Sequence, residues 1–262
     1  MAKKGTIMAR TELEDAERIH LVTILCDNSW SMGVKERKLA ACKALEAATR
    51  VFRQAEEKLS EDSNGNHTMR VSICWLNGGF VQQDAHPDDL SGIGEKDYRC
   101  DGSTPLYERS LEVIRHLDYR IQQFLAEGRK VRGHVIWFSD GEANKSDPST
   151  IQELKTLVSE ALNPKSADGR STTQRLNLFA IPIGEKARSF YEDLGVPDKH
   201  IFEVSDSMAE GFEENLVKAM RKTSILAVFG DNALDNTQGN ADKLPGDIML
   251  ELILQRSPHK GI

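Results

Sequence analysis

Residues 19–26 (Ile-His-Leu-Val-Thr-Ile-Leu-Cys) and 131–138 (Val-Arg-Gly-His-Val-Ile-Trp-Phe) form apolar runs without a clean polar alternation. A strand with one wet face alternates. A run that does not alternate reads as a strand covered on both sides, which is the habit of parallel strands packed between helices. Each run stops at an acid-bearing turn: Asp27-Asn28-Ser29-Trp30-Ser31 follows the first, and Ser139-Asp140-Gly141 the second. In an open α/β sheet the ligand crevice lies at the carboxyl ends of the strands, beside the point where strand order reverses. If the two strands are neighbours, Asp27 and Asp140 share one rim.

The rest of the chain supports that architecture. Leu39, Cys42, Leu45, Ala48, Phe52, Ala55 and Leu59 recur at three- and four-residue steps, which predicts a helix over 34–59 packed on a sheet. Residues 69–76 read as a strand, and Asn77-Gly78-Gly79 turns it into Phe80-Val81-Gln82, an antiparallel edge. A polar loop over about 84–103 precedes a helix that starts at Thr104-Pro105 and stops near Gly128. Further on, Asp147-Pro148 opens a helix, 176–183 reads as a strand, 185–194 as a short helix, 200–204 as a last strand and 206–229 as a closing helix capped by Ser205 or Asp206.

This alternation predicts a doubly wound, Rossmann-like α/β fold: a mostly parallel six-stranded sheet with one antiparallel edge strand and helices on both faces. The expected divisions are a polar extension over 1–18, the domain over 19–229, a linker over 230–246 rich in Asp, Asn, Gln and Gly, and an apolar docking segment over 247–262. Ile248, Met249, Leu250, Leu252, Ile253 and Leu254 are too few to fold alone. They are expected to dock on this domain, on a second copy or on a partner.

A third stretch, Gly102-Ser103-Thr104-Pro105, completes a set of oxygen-bearing side chains with Asp27, Ser29, Ser31 and Asp140. Singly, each has an ordinary explanation, since Thr104 suits a helix cap and a strand-end Asp is commonly structural. Their conjunction favours a hard divalent cation. Mixed carboxylate, hydroxyl and water oxygens suit magnesium first and manganese second. With only two charged side chains in the set, the cation stays electron-poor and keeps room for an Asp or Glu of a partner.

In order and spacing, Asp27-x-Ser29-x-Ser31, Thr104 in Gly-Ser-Thr-Pro-Leu and Asp140 in Ser-Asp-Gly resemble the metal-ion-dependent adhesion site of von Willebrand factor A domains. The resemblance runs over roughly residues 19–229. It implies that Ser29, Ser31 and Thr104 are hydroxyl ligands, with Asp27 and Asp140 acting directly or through water. Likeness to intracellular bacterial-type members further implies an adaptor in a larger ATPase-, kinase- or phosphatase-linked system, in stress or defence. Trp30 stands where the family usually has a small residue. If exposed it would anchor a protein ligand, since interface hot spots are rich in Trp; otherwise it covers a neighbouring helix. Tyr98, Arg99 and Glu142 fall in loops expected to rim the metal, the plain alternative for each being a solvated loop residue.

Several function classes are disfavoured. A formal charge of −7 and a pI near 5.6 argue against nucleic acid, and the basic residues from Lys35 to Lys38 read as a solvated helix face. No stretch approaches the roughly 20 apolar residues of a membrane span. The amino terminus meets Glu12, Glu14, Asp15 and Glu17 before any apolar run, so a cytoplasmic address is expected. Cys26, Cys42, Cys74 and Cys100 lack a CxxC spacing and read as reduced thiols.

His20 and His134 sit in strand runs and are expected to be satisfied within the fold, and Gly92-Ile93-Gly94 lacks the third glycine of a dinucleotide loop. A magnesium phosphohydrolase of the haloacid dehalogenase type also uses an Asp after its first strand. It needs a second acid two residues on, where this chain has Ser29, which cannot act as a general acid near neutral pH. A non-enzymatic interaction module is therefore expected. A scaffold whose metal only braces loops, with its interface in 247–262, is the remaining alternative.

Overall fold

Strand β1 (Arg18–Cys26) is buried at every position after Arg18, as its unbroken apolar run requires. The computed structural model describes residues 18–62, 67–90, 93–141, 147–162, 176–205 and 211–229. Among these, β1 is central in a five-stranded sheet with β2 (His67–Trp75), β3 (Gly79–Ala85), β4 (Lys130–Ser139) and β5 (Leu176–Pro182), in the order β3-β2-β1-β4-β5. All pairings are parallel except β2 with β3. The turn between those two carries Gly78 and Gly79 at φ +124° and +82°, conformations that residues with a Cβ rarely adopt.

β1 and β4 are neighbours, and Cys26 is in register with both Trp75 and Phe138. The carboxyl ends of β1, β2 and β4 therefore finish level. The chain leaves β1 toward β2 on one side and returns through β4 on the other, so the order reverses where Asp27 and Asp140 emerge.

Alternate residues of each strand feed two cores. On one face Val22, Ile24, Met69, Val71 and Phe138 pack under α1 (Lys35–Asp62) and α5 (Phe212–Phe229), through Ala48, Phe52, Leu216 and Met220. On the other, Leu21, Leu25, Val135 and Trp137 meet α2 (Leu106–Ala126), α3 (Pro148–Leu162) and α4 (Glu185–Asp193), through Val113, Leu117, Leu154, Val158 and Tyr191. Gly133 in β4 sets how closely α2 approaches. A Cβ there would lie 2.6 Å from Leu176 and 2.8 Å from Ile121, so a larger residue would push helix and sheet apart.

The predicted sixth strand is reduced to two isolated parallel bridges, Ala180 with Ile201 and Ile183 with Val204. Phe202 and Val204 donate to the carbonyls of Ala180 and Pro182 at 2.8 and 2.9 Å. Pro182 has no N–H to return the bond, and the ladder breaks between the bridges. Of the expected extension over 1–18 only Arg18 is described, and it opens β1; the Asp206 cap, the linker over 230–246 and the docking segment over 247–262 lie outside the described residues.

Candidate metal centre

The backbone N–H of Asp27 donates to the Phe138 carbonyl at 2.8 Å, which carries the β1–β4 pairing into the loop. Its side chain is fully buried. Oδ1 accepts the Ser29 N–H at 2.8 Å, Oδ2 accepts the Ser139 hydroxyl at 2.6 Å, and the Asp27 carbonyl accepts the hydroxyl of Tyr98. Asn28 ties the loop to its neighbours: Nδ2 donates to the carbonyls of Asn77 and Arg99 at 2.8 and 2.9 Å, and Oδ1 accepts the Asn77 N–H at 2.7 Å. Asn77 in turn donates to the carbonyls of Asp101 and Ser103 at 2.8 and 2.6 Å. This relay holds the segment bearing Thr104 against the loop bearing Ser29.

The hydroxyls are free of the capping duties that would have explained them. Ser29 precedes the short 3-10 turn Trp30–Gly33 and makes no side-chain cap bond; instead its Oγ lies 3.0 Å from that of Ser31. Ser31 donates to Asp140 Oδ1 at 2.7 Å. The cap position of α2 is Pro105, which makes no side-chain cap bond, so Thr104 stands one residue before the cap position. A Cβ added to Gly141 would sit 3.2 Å from Thr104 Oγ1 and 3.6 Å from Asp27 Oδ2. The backbone of the third stretch thus closes over the other two where a side chain would crowd Thr104. All five predicted side chains, Asp27, Ser29, Ser31, Thr104 and Asp140, border this one space.

Two carboxylates bury together here, the Asp140 side chain being 1% exposed. Burial pushes the Asp140 pKa up; the Ser31 hydrogen bond lowers it, nearby Asp27 raises it again and Arg37 lowers it. Buried acids of this kind call for a cation. One already present is Arg37 of α1, whose guanidinium pairs with Asp140 Oδ2 and donates to the Ser31 carbonyl at 3.3 Å. The expectation of a solvated face over Lys35 to Lys38 fails at this residue, because the helix begins beside the site and turns Arg37 onto the acid.

The donor set fits a hard divalent cation: oxygen donors only, from two carboxylates and three hydroxyls, beside a cradle that a side chain at position 141 would crowd. Among the described residues no group of three or more His, Cys, Asp or Glu gathers as a metal site, so a cation here would have to draw on the hydroxyls as well.

At the rim, Trp30 is 77% exposed and Arg99 is exposed. Tyr98 is not a rim residue. It is fully buried, its ring edge-on to Trp75 with centroids 4.9 Å apart, because the Asp27 carbonyl needs a donor and the aromatic body fills the space beneath the loop. Glu142 lies outside the described residues. Sequence reasoning passed over Ser139, Asn28 and Arg37 as working parts. The first two sit inside the quoted motifs and could have been flagged by position, whereas nothing local marks Arg37 out from its basic neighbours.

No protein-family profile and no curated protein matches the chain. Solved structures do resemble it in shape. A von Willebrand factor type A protein from Catenulispora acidiphila is 14% identical, with TM-score 0.43, over 79% of this chain and 43% of that one. The chain thus spans less than half of that protein. The vWF domain of the type V pili tip protein Mfa5 from Porphyromonas gingivalis is 12% identical, with TM-score 0.46, over 82% and 96% of the two chains. Manganese-loaded TRAP from Plasmodium vivax is 13% identical, with TM-score 0.43, over 78% and 74%.

Proposed function

We propose that this chain is a non-enzymatic interaction module of von Willebrand factor A type, which uses a magnesium or manganese ion to take an Asp or Glu of a protein partner. The observation that carries the reading is the convergence of Asp27, Ser29, Ser31, Thr104 and Asp140, drawn from three distant stretches, on one space at the switch point of the sheet. When bound, the cation would supply the positive charge that a partner's carboxylate needs, and the hydroxyls leave that charge largely unneutralised.

This chain's own residues do the rest. Asp27 is oriented by Ser139 and the Ser29 N–H, Asp140 by Ser31 and Arg37, and exposed Trp30 offers an aromatic anchor beside them. Membership of a larger ATPase-, kinase- or phosphatase-linked machine rests on the sequence resemblance alone. Among the described residues no helix is long and apolar enough to cross a membrane.

The test is a titration of the protein with Mn2+ followed by electron paramagnetic resonance, with acetate then added as a stand-in for an acidic side chain. Saturable binding, weakened at least about tenfold by Ser29→Ala or Thr104→Ala in folded protein, and a loss of water relaxivity on adding acetate are the expected results. Absence of saturable Mn2+ binding defeats the reading.

A further inference from the structure

At the opposite end of the sheet a cavity of about 500 Å3 opens among the amino-terminal ends of β1, β2 and β4 and the last turns of α1 and α5. Counted along β1, which has nine residues, it lies about 30 Å from Asp27 at ~3.3 Å per residue. Arg18 is in register with Lys130, and His20 with Arg132, so side-chain alternation projects these four onto one face of the sheet. All four line the cavity, together with His67, and among the described residues no Asp or Glu does. Among the described residues Arg18, Lys130 and Arg132 have no ion-pair partner.

In a protein of net charge −7 this is, among the described residues, a concave positive region, which concentrates anions. A second observation points the same way. His20 and His67 are 7% and 8% exposed; their rings meet through Nε2 of His20 and Nδ1 of His67 at 3.3 Å, while Nδ1 of His20 and Nε2 of His67 have no hydrogen-bond partner among the described residues. Polar ring atoms buried in this way normally find hydrogen bonds. The remaining wall is apolar, built from Ile19, Leu59, Val131, Val228 and Phe229. The volume falls within the range of small-molecule sites.

We propose that this cavity binds a small organic phosphate, its phosphate held by Arg18, Lys130 and Arg132 and its apolar or aromatic body laid against Val228 and Phe229. Three cations around one mouth match a dianion better than a single carboxylate, and guanidinium groups match phosphate in geometry.

Calorimetric titration of the full chain with phenyl phosphate and with inorganic phosphate, in EDTA so that no divalent metal takes part, tests the proposal separately from the metal-centre reading. Phenyl phosphate should bind about tenfold or more tighter than inorganic phosphate, because its ring leaves water. The double variant Arg18→Gln/Arg132→Gln, altered only at exposed positions, should lose about tenfold or more, and titration should move the ring resonances of His20 and His67. The proposal is overturned if no heat appears up to ~10 mM phenyl phosphate, if the two ligands bind equally, or if the double variant binds as the parent does.

Discussion

The two ends of β1 and β4 bury polar groups by opposite means. At the carboxyl ends, Asp27 and Asp140 are buried as acids, each held by designated donors, and Asp140 leans on Arg37. At the amino ends, His20 stacks between His67 and His134 with centroids 5.5 and 5.9 Å away, and each of the three rings keeps a nitrogen without a partner. Burial lowers the pKa of all three, that of His20 to about 4. A histidine can shed its charge near neutral pH and so be buried with little help. A carboxylate can do so only by capturing a proton well above its usual range, so it needs a cation instead. The contrast separates an end that buries acids from one that buries neutral rings. His20 and His134 each find one partner within the fold, His67 at 3.3 Å and Asn177 at 3.2 Å, while among the described residues the second nitrogen of each ring has none.

The sharpest way to break this contrast is Asp27→Ala. It removes one acid and strands the Ser29 N–H and the Ser139 hydroxyl, so Mn2+ affinity should fall more than about a hundredfold, and stability by about 1–3 kcal/mol in urea unfolding. Retained Mn2+ affinity would mean that the acid does not hold metal.

Acid probes the other end. The His20 ring stays neutral in the fold down to a pKa of about 4, chiefly through burial and then through His67, Arg132 and Arg18, whereas the unfolded chain takes up that proton near 6.5. The unfolded state therefore binds more protons as pH falls. The contribution is intact above about 6.5 and declines toward 4, amounting for His20 alone to about 2 kcal/mol at pH 5. Urea midpoints measured at pH 7 and pH 5 should show this loss, and His20→Gln should flatten it. An unchanged slope in His20→Gln would place the titration elsewhere.

Smaller effects sharpen the picture at the metal end. Arg37→Gln removes a positive charge beside the site and should tighten Mn2+ binding about fivefold at low salt, less as salt rises. Weaker binding would show that Arg37 matters more for holding Asp140 than for repelling the cation. Trp30→Phe should change stability by less than about 0.5 kcal/mol, yet abolish most of the Mn2+-dependent quenching of tryptophan fluorescence, because Trp75 and Trp137 are buried. Quenching that survives in Trp30→Phe would place the ion away from this loop.

Most of the architecture was legible because it is written in short-range pattern. The unalternating runs over 19–26 and 131–138, the three-and-four spacing from Leu39 to Leu59 and the Asn77-Gly78-Gly79 turn each reflect a constraint acting within a few residues. The five oxygen-bearing residues were legible for a related reason: strand ends and helix starts are local positions, and one topological rule brings them to a common rim. Three features escaped. Tyr98 lies in a polar loop yet supplies a buried donor to Asp27. Arg37 belongs to a basic run yet turns onto Asp140. The histidines of β1, β2 and β4 are 47 and 67 positions apart in the chain and become one stack only when the strands pair.

By itself the sequence determined the class of fold, the succession of elements and which oxygen-bearing residues stand at strand ends and helix starts, because periodicity, turn chemistry and strand-end acids are properties of neighbouring residues. Only the tertiary structure decided that β1 lies beside β4, that Pro182 reduces the last strand to two bridges and that Asp140 is paired with Arg37. It alone showed that a basic cavity closes off the far end of the sheet. These depend on which distant groups share a space once water has been excluded, and that is a property of packing which no single segment carries.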